Sequence, residues 1–499
     1  MNIIFYVMDC LRADHVHALG GKRDSTPTLD RLAREGVAFS HCYSQSGWTA
    51  PSAATMFSGQ HPSKTGIHKM RDGLNPALPW LPEMLAQNSF RTVGFSSMYQ
   101  VSKLRGFDRG FESMFDLFMD AEIMETCRAR GQASRGDHYC LPLSEDLHKR
   151  ALAWLDEHQK SERAYDPFYW MIWSTDTHEP FRHPPEFNKD ADTGYRGPVT
   201  GGGRPFAQVR NSRDKQHLID LYDGALRYQD AKLGELVTEL EKRGILDDTL
   251  LIVVGDHGEM FWEHGLAGHG KFPWEEELRV PCIMRFPQAL PQGKVYDTLM
   301  QMIDLPPTIA DLAGLPTEPR FAGKSLRPIF EGSATEVHDH IVLEVPFPFD
   351  RAERARVVIT RDRWKYVEYS PPAFSRRLKK VIKEHGRALT VIARPGTLGM
   401  LYGHHFRKGA LGLFKAAYVE PWFFLFGATT KRLFDLKTDP GENRDLAGSQ
   451  SSRVSELAAR LTAIDATMGG GGKATAVMSA AEQEKKIEEH LRELGYVED

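Results

Sequence analysis

Two apolar stretches of the chain each run directly into side chains that could bind a cation. Residues 3–8 (IIFYVM) are followed by Asp9, and residues 250–254 (LLIVV) are followed, after one glycine, by Asp256 and His257. Carboxylate oxygens and imidazole nitrogens are common ligands of divalent cations in proteins. If the two stretches are neighbouring strands, these side chains lie at one edge of the same sheet. The sequence therefore predicts a cation site at that edge.

A hydroxyl group is expected at the same place. Thr49 lies in the stretch 46–59 (SGWTAPSAATMFSG), just ahead of small residues that favour a helix. Taken alone, this threonine would be interpreted as a helix cap, and a lone aspartate at a strand end as a cap or a turn. Beside a cation, however, the hydroxyl would have a lowered pKa and could act as a nucleophile. The conjunction of these groups favours a catalytic site.

The distribution of apolar residues predicts an α/β fold. Four stretches are continuously apolar, as expected for strands that are covered on both faces: 3–8, 168–173, 250–254 and 280–286. Helical periodicity predicts helices over 28–35 and 216–243. Strands that alternate with helices indicate a mostly parallel, doubly wound sheet flanked by helices.

With 499 residues, the chain exceeds what one hydrophobic core usually serves. We expect a catalytic α/β domain over 1–335, a smaller C-terminal α+β subdomain over 336–467, and a glycine linker with a helical tail over 468–499. Residues 376–426 form a basic and then apolar insert, interpreted as a solvated helix and a covered segment. The alternative for this insert is a membrane-surface or lid role, and a homo-oligomer through the insert or the tail is a further expectation.

Composition excludes several classes of protein. The 63 Lys and Arg residues nearly balance the 67 Asp and Glu residues, so no nucleic-acid partner is expected. Five widely spaced cysteines predict no disulfide framework and favour a reducing compartment. The first residues make a poor signal peptide, and the chain has no apolar run long enough to predict a transmembrane segment. A cytoplasmic protein is therefore expected.

Motifs along nearly the whole chain resemble the sulfatase family within the alkaline phosphatase superfamily. In order, they are DCLRAD (9–14), TPTLDRLA (26–33), WTAPS (48–52), THEPF (177–181), GDHG (255–258), GK (270–271) ahead of WEE (274–276), DLPPT (304–308) and LFDLKTDPGE (433–442). Each motif alone is weak, but their order and spacing are shared with the family. The resemblance implies a metal-dependent ester hydrolase that acts on a small anionic substrate.

The resemblance also implies a role for individual residues. Thr49 matches the family's nucleophile, which also binds the metal. His178 matches the histidine that contacts the substrate or its leaving group, and Lys271 matches a basic residue that binds the substrate anion. The implied ligands of one divalent ion (Mn, Zn, Ca or Mg) are Asp9, Thr49, Asp256 and His257.

Several positions depart from the family pattern. Sulfatases convert the Cys or Ser of a C/S-x-P-S-R motif into formylglycine, and Thr49 cannot undergo that conversion, so no formylglycine is expected. Ala53 replaces the arginine of that motif, and Cys10 replaces the second Asp of the family's Asp-Asp pair. Ser97 and Tyr99 stand where the family has Lys and His.

The sequence lacks these two cationic residues and has the Asp256–His257 pair, and in both respects it resembles the phosphonate monoester hydrolase and phosphodiesterase branch. In that interpretation Tyr99 lies near the substrate anion. The alternative is that Tyr99 is an ordinary aromatic residue of a loop or of the wall of the site.

Other polar residues near these motifs are assigned supporting roles. Glu259 and Asp176 are expected to accept hydrogen bonds from histidines. His264 and His269 would be needed as ligands only if a second zinc ion were bound. Because Cys10 replaces the second Asp, a single hard cation is the simpler prediction. Cys10 is interpreted as a small buried residue beside the site, and the alternative is a ligand for a softer ion.

The predicted activity is the metal-dependent hydrolysis of a phosphoric mono- or diester or of a phosphonate ester. A metal-bound Thr49 would attack phosphorus, Lys271 would stabilise the developing charge, and His178 would assist the leaving oxygen. Three alternatives stay open: a sulfuric ester hydrolase, a phosphotransferase or mutase with the same phosphothreonine, and a catalytically silent binding protein.

Overall fold

The computed structural model describes residues 1–70, 72–129, 141–270, 272–346, 354–370 and 430–468. The strands are β1 (Asn2–Met8), β2 (Val37–Tyr43), β3 (Arg91–Ser96), β4 (Ser113–Asp116), β5 (Phe168–Ser174), β6 (Thr249–Gly255), β7 (Met260–Phe261), β8 (Ala267–Gly268), β9 (Arg279–Arg285), β10 (Lys294–Tyr296), β11 (Met300–Gln301), β12 (His340–Pro346), β13 (Arg354–Thr360), β14 (Trp364–Ser370) and β15 (Thr430–Asp435).

The helices, numbered in chain order, are α1 (Pro27–Glu35), α2 (Thr49–Ser58), α3 (Pro62–Thr65), α4 (Leu81–Gln87), α5 (Ala121–Ala129), α6 (Ser144–His158), α7 (Pro205–Gln208), α8 (Ser212–Lys242), α9 (Glu275–Leu278), α10 (Leu305–Leu312), α11 (Arg327–Phe330) and α12 (Ser451–Met468). Short 3₁₀ turns lie at Ala13–His15, His17–Leu19, Tyr99–Val101, Lys103–Arg105, Leu117–Met119, Pro185–Phe187, Leu246–Asp248 and Met302–Asp304.

A nine-stranded sheet forms the centre of the protein. Its order is β10-β2-β9-β6-β1-β5-β3-β4, and β11 also pairs with β2. Helices cover both faces of this sheet, and two large apolar clusters lie beneath them. The predicted α/β class is confirmed, and β1, β5 and β6 agree with the predicted strands to within one residue at each end.

One predicted strand has the opposite direction from that expected for a parallel sheet. β9 pairs antiparallel with both β2 and β6. Between β6 and β9 the described residues form only the β7–β8 hairpin and the one-turn helix α9. Parallel neighbours are usually joined by a helix that crosses one face of the sheet, and the described part of this connection contains no helix of that length. The central sheet is therefore mixed.

A second, antiparallel sheet follows in the order β12-β13-β14-β15. This sheet and the helix α12 agree with the predicted smaller C-terminal α+β subdomain. The buried Lys365 of β14 forms ion pairs with Glu275 of α9, at 3.0 Å, and with Glu442, at 2.9 Å. These contacts attach the second sheet to α9, which directly precedes β9 of the central sheet. The boundary near residue 335 stays a prediction, and the insert 376–426 and the tail 469–499 lie outside the described residues.

The cysteines differ in one respect from the expectation. Cys10, Cys42 and Cys282 are buried free thiols, whereas Cys127 is disulfide-bonded. A disulfide is more typical of an oxidising compartment than of the cytoplasm. Within the described ranges, no helix is long and apolar enough to cross a membrane.

A buried histidine in the core predicts a pH-dependent stability. Burial lowers the pKa of His148 to about 3, and its Nε2 atom lies 3.0 Å from the Tyr6 hydroxyl. The unfolded chain takes up this proton below about pH 6.5, whereas the folded chain does not until about pH 3. The free energy of unfolding should therefore fall by up to about 1.4 kcal/mol per pH unit as the pH decreases through this range.

Urea unfolding between about pH 4.5 and 7.5 measures this effect. The His148→Gln variant, which keeps an acceptor for Tyr6, should show a shallower loss of stability at low pH. The Tyr6→Phe variant is the control, because it removes the hydrogen bond but keeps the buried imidazole. An unchanged pH dependence in His148→Gln would contradict the assignment.

Candidate functional site

The candidate site lies where β1 and β6 end side by side. These strands are parallel neighbours, with Met8 opposite Gly255, so Asp9 and Asp256 leave the sheet at the same edge. Donor atoms of Asp9, Asp256 and His257 all lie within 4.8 Å of one another, and all three residues are fully buried. The structure thus brings together the three side chains that follow these strands.

Thr49 is the first residue of α2, a helix whose ten residues are all buried. Its Oγ1 atom lies 3.2 Å from Nε2 of His257. The hydroxyl of Ser52, one turn further along, donates to the carbonyl of Asp256 at 2.7 Å and fixes the start of the helix against the end of β6. Trp48, rather than Thr49, occupies the capping position, so the Thr49 hydroxyl faces the site and does not cap the helix.

The protonation of His257 suits a ligand or a proton acceptor. Its Nδ1 atom lies 2.9 Å from the carbonyl of Gly258. Because a carbonyl can only accept, the ring proton is on Nδ1, and Nε2 presents a lone pair towards Thr49. Burial, reinforced by the neighbouring His269, lowers the pKa of His257 to about 4, so the imidazole is neutral at neutral pH.

The carboxylate oxygens of the two buried aspartates are not all matched by hydrogen-bond donors. Asp9 Oδ2 accepts a hydrogen bond from Nε1 of Trp173 at 2.9 Å. Asp256 Oδ1 accepts from the backbone N–H groups of Cys10 and His257, but its buried Oδ2 has no hydrogen-bond partner within the described residues. Burial and then the charge of Asp9 raise the pKa of Asp256 well above its usual value. A divalent cation would satisfy both carboxylates, so this donor set fits the predicted cation.

Cys10 lies between these groups in an uncommon backbone conformation. Its φ angle is 62°, a region that residues with a side chain seldom adopt. The Tyr222 hydroxyl donates to the Cys10 carbonyl at 2.8 Å, and the Cys10 sulfur lies 3.3 Å from Oδ1 of Asp9. Burial and the nearby carboxylates, first of all Asp9, raise the pKa of this thiol. The predicted buried position of Cys10 beside the site agrees with these contacts.

Two further histidines face the same cluster. His178 follows β5, is fully buried, and donates from Nδ1 to the carbonyl of Glu179. The His269 ring lies 5.1 Å from the His178 ring and 4.6 Å from the His257 ring, measured between centroids. The sequence singled out His269 only for a two-zinc site, because its spacing from His257 alone does not show that the β7–β8 hairpin returns it to the centre.

The other predicted contacts have different outcomes. Lys271 lies outside the described residues, so its role in binding the anion stays a prediction. Tyr99 is 6% exposed and packs under the guanidinium of Arg105, which lies 5.6 Å from the ring centroid. The hydroxyl of Ser97 donates to the carbonyl of Pro142 at 3.3 Å. A substrate contact by Tyr99 also stays a prediction.

Of the two carboxylates expected to accept hydrogen bonds from histidines, one does so and the other has different partners. Glu259 is 3.1 Å from Nδ1 of His269, as expected for a supporting carboxylate. Asp176 instead accepts hydrogen bonds from Ser144 and Ser174, because the end of β5 meets the start of α6 there. His264 stacks on Trp274 with 3.9 Å between ring centroids.

The hydrogen bond between Trp173 and Asp9 predicts a measurable effect on cation affinity. Trp173→Phe removes only the indole donor that orients Asp9, and loss of such a supporting bond typically lowers metal affinity about 10- to 100-fold. Isothermal titration of the metal-stripped protein with Mn²⁺ measures this affinity. Trp170→Phe is the matched control, since Trp170 lies on the same strand, is equally buried, and its Nε1 has no partner in the described structure. Equal affinities for the two variants would contradict the role of Trp173.

Comparison with known proteins agrees with this geometry. Residues 1–315 match the sulfatase family, and residues 262–378 match the C-terminal region of N-sulphoglucosamine sulphohydrolase. The chain is 23% identical over 415 residues to an N-acetylglucosamine-6-O-sulfatase of Bacteroides thetaiotaomicron, covering 66% of this chain and 71% of that protein. It is 26% identical over 416 residues to a choline-sulfatase of Rhizobium meliloti, covering 73% and 78%.

Solved structures with the same fold include phosphonate monoester hydrolases. The enzyme of Agrobacterium radiobacter superposes with a TM-score of 0.69 at 19% identity, covering 94% of this chain and 96% of that one. The enzyme of Silicibacter pomeroyi gives 0.68 at 18% identity, covering 96% and 100%. The chain therefore belongs to the sulfatase family, a family of metal-dependent hydrolases in the alkaline phosphatase superfamily.

Proposed function

We propose that the protein hydrolyses an ester of phosphoric or phosphonic acid through the hydroxyl of Thr49. The observation that carries this proposal is the position of Thr49 Oγ1, 3.2 Å from Nε2 of His257 and beside two buried carboxylates. The threonine also begins a ten-residue helix, whose N-terminal dipole favours an anionic group at this point.

The threonine favours phosphorus over sulfur as the electrophile. A formylglycine hydrate can release sulfate by collapsing to an aldehyde, but an alcohol such as Thr49 has no such route. An ester formed on Thr49 must instead be cleaved by a second displacement, in which water attacks the central atom. Phosphoryl transfer proceeds by such in-line displacements, which depend on positioning and electrostatic stabilisation.

A divalent cation bound by Asp9, Asp256 and His257 would neutralise the carboxylates, lower the pKa of the Thr49 hydroxyl and polarise the substrate. Its identity, among Mn, Zn, Ca and Mg, stays a prediction. No formylglycine is needed in this scheme.

The residues of the chain would carry out two displacements. In the first, the Thr49 hydroxyl releases its proton to water, and Oγ1 forms a bond to phosphorus while the bond to the alcohol oxygen breaks. Protonated His178 gives its proton to that leaving oxygen. In the second, neutral His178 takes a proton from the attacking water, the water oxygen bonds to phosphorus, and Thr49 Oγ1 leaves and takes a proton back from water. Lys271 is proposed to bind the equatorial oxygens.

The sulfatases among the relatives favour a second candidate, a sulfuric ester hydrolase that uses the unmodified threonine. A phosphotransferase would share the first displacement and pass the group to an alcohol, whereas a silent binding protein would perform neither. The cytoplasmic location and a homo-oligomer also stay predictions.

A substrate panel separates these functions. The full chain, with and without added Mn²⁺ or Zn²⁺, is assayed with nitrophenyl phosphate, bis-nitrophenyl phosphate, nitrophenyl phenylphosphonate and nitrophenyl sulfate. We expect at least one phosphorus ester to exceed the sulfate by about 100-fold or more in kcat/KM, equivalent to about 2.7 kcal/mol in transition-state free energy. Faster turnover of the sulfate would overturn the proposal, and product release that depends on an added alcohol such as methanol, with little hydrolysis in its absence, would indicate a transferase.

A further inference from the structure

We propose that Arg105 binds a carboxylate carried by the alcohol part of the substrate. This inference rests on the proposed site for an anionic ester at Thr49, and it adds the chemical class of the alcohol. Its basis is a buried guanidinium with two nitrogen atoms that lack a hydrogen-bond partner in the described part of the chain.

The unpartnered atoms of Arg105 lie on one edge of its guanidinium. On the other edge, Nη1 donates to the carbonyl of Met70 and holds the group in place. The Nε and Nη2 atoms are buried and have no hydrogen-bond partner, and no carboxylate among the described residues forms an ion pair with this side chain. The Nε–H and Nη2–H bonds are parallel, and this pair is the fork by which arginine binds both oxygens of a carboxylate.

Arg105 belongs to the segment that follows β3 at the same edge of the sheet as the candidate site. The first residue after β3 donates its N–H to the carbonyl of Trp173 at 3.1 Å, and the Trp173 indole donates to Asp9. The turn Tyr99–Val101 then packs against α2, the helix that begins at Thr49. This segment therefore lies on the side of the site towards which the alcohol part of a bound ester could extend.

The same turn contains a second buried polar side chain without partners. Gln100 is fully buried, and neither Oε1 nor Nε2 of its amide has a hydrogen-bond partner within the described ranges. Its neighbour Tyr99 packs on the Arg105 guanidinium, which lies 5.6 Å from the ring centroid. Buried polar groups without partners are unfavourable and uncommon. Two side chains of this segment thus have a hydrogen-bonding capacity that a ligand would use.

The surroundings favour a group with a single negative charge. On either side of Arg105 along the chain, Val101 and Phe107 are fully buried in the large apolar cluster. An unpaired charge in such surroundings is unfavourable, and one carboxylate balances one guanidinium. A dianionic phosphate would instead leave one negative charge in excess. A carboxylate is therefore the predicted group.

The test is isothermal titration of the full chain, in the presence of Mn²⁺, with ω-phosphonoalkanoic acids of two to six carbons and with the matching amides. A phosphonic acid group has no ester bond to cleave, so the titration measures binding alone. Because a charge-assisted, bidentate pair is stronger than a neutral hydrogen bond, we expect the best-fitting acid to bind about 10-fold or more tightly than its amide. If no acid binds more tightly than its amide, the proposal is overturned.

Variants assign this preference to Arg105. Arg105→Met keeps the length of the side chain without the fork, and it should abolish the preference for the acid. Arg109→Met is the matched control, since Arg109 also packs on an aromatic ring, that of Trp80 at 5.2 Å, and also donates to backbone carbonyls. This control should keep the preference. The wild-type preference in Arg105→Met would contradict the assignment.

A conservative variant keeps the result decisive if Arg105→Met does not fold. Arg105→Lys keeps the positive charge but lacks the parallel pair of N–H groups, so it should retain only part of the preference. The full wild-type preference in Arg105→Lys would mean that a general effect of charge, rather than the fork, binds the acid, and it would overturn the proposal.

A second series of ligands separates this inference from the proposed function. If the protein acts on sulfuric esters instead, ω-sulfoalkanoic acids should bind more tightly than their amides, and the preference should again depend on Arg105. That result would correct the ester class and leave the role of Arg105 intact. Equal affinities of acid and amide in a series that binds would overturn the role of Arg105 alone, whereas failure of both series to bind would overturn both proposals.

Discussion

Replacement of Thr49 by alanine should abolish hydrolysis while leaving the protein folded. The hydroxyl is the only group of this side chain that the proposed chemistry uses, and loss of a nucleophile typically lowers kcat by at least about 10³-fold. The cost to folding should be about 1 to 2 kcal/mol, since a small buried side chain is truncated at the end of a helix. Steady-state assays with the best phosphorus ester and thermal unfolding measure the two effects.

The same helix supplies a matched control. Thr55 is equally buried, and its hydroxyl donates to the carbonyl of Ser52 at 2.7 Å, one and a half turns away from the site. Thr55→Ala should cost a similar amount of stability and keep most of the activity. Turnover by Thr49→Ala at the wild-type rate would remove Thr49 from the mechanism.

Replacement of Asp256 by asparagine should separate cation binding from folding. The carboxylate is fully buried beside Asp9, and its Oδ2 atom has no hydrogen-bond partner in the described part of the chain. Removal of this charge should leave the cation-free protein as stable as wild type or more stable, because a buried, unpaired carboxylate is unfavourable. In contrast, Mn²⁺ at about 100 times Kd should stabilise wild type by about 2.7 kcal/mol and the variant far less.

Thermal unfolding in chelator and in Mn²⁺ measures both quantities. Asp230→Asn is the control, since Asp230 is also buried, caps the start of α1 through the N–H groups of Thr28 and Leu29, and has a pKa that burial raises to about 6. This control should respond to Mn²⁺ as wild type does. A full Mn²⁺ response in Asp256→Asn would show that the cation binds elsewhere.

The parts of the site that follow strands could be predicted from the sequence. β1 and β6 are continuously apolar because both faces of the central sheet are covered, so their ends, and hence Asp9 and Asp256, are visible in the printed sequence. Their convergence requires only that the two strands are parallel neighbours, which the structure shows. The small residues of α2 similarly indicated a helix behind Thr49, and the structure shows that it is buried.

The parts that depend on tertiary contacts could not be predicted in this way. The direction of β9 follows a connection whose described residues contain no crossover helix, and an apolar stretch carries no sign of direction. His269 reaches the centre through the β7–β8 hairpin, whose strands have only two residues each. The hydrogen bonds of Asp176 depend on the meeting of β5 and α6, two elements that the periodicity alone does not place together.

The spatial arrangement changes the interpretation of Cys10. In the sequence it replaces a family carboxylate and is interpreted as a small buried residue, with the binding of a softer ion as the alternative. In the structure its sulfur lies beside Asp9 and three imidazoles, in a strained backbone conformation that hydrogen bonds maintain.

The stereochemistry of hydrolysis at phosphorus tests the central claim most directly. A phosphorothioate diester of defined configuration is hydrolysed by the full chain in ¹⁸O-labelled water, and the configuration of the product is determined. Two successive in-line displacements, first by Thr49 and then by water, predict retention of configuration. Inversion would mean that water attacks phosphorus directly, and it would contradict a covalent role for Thr49.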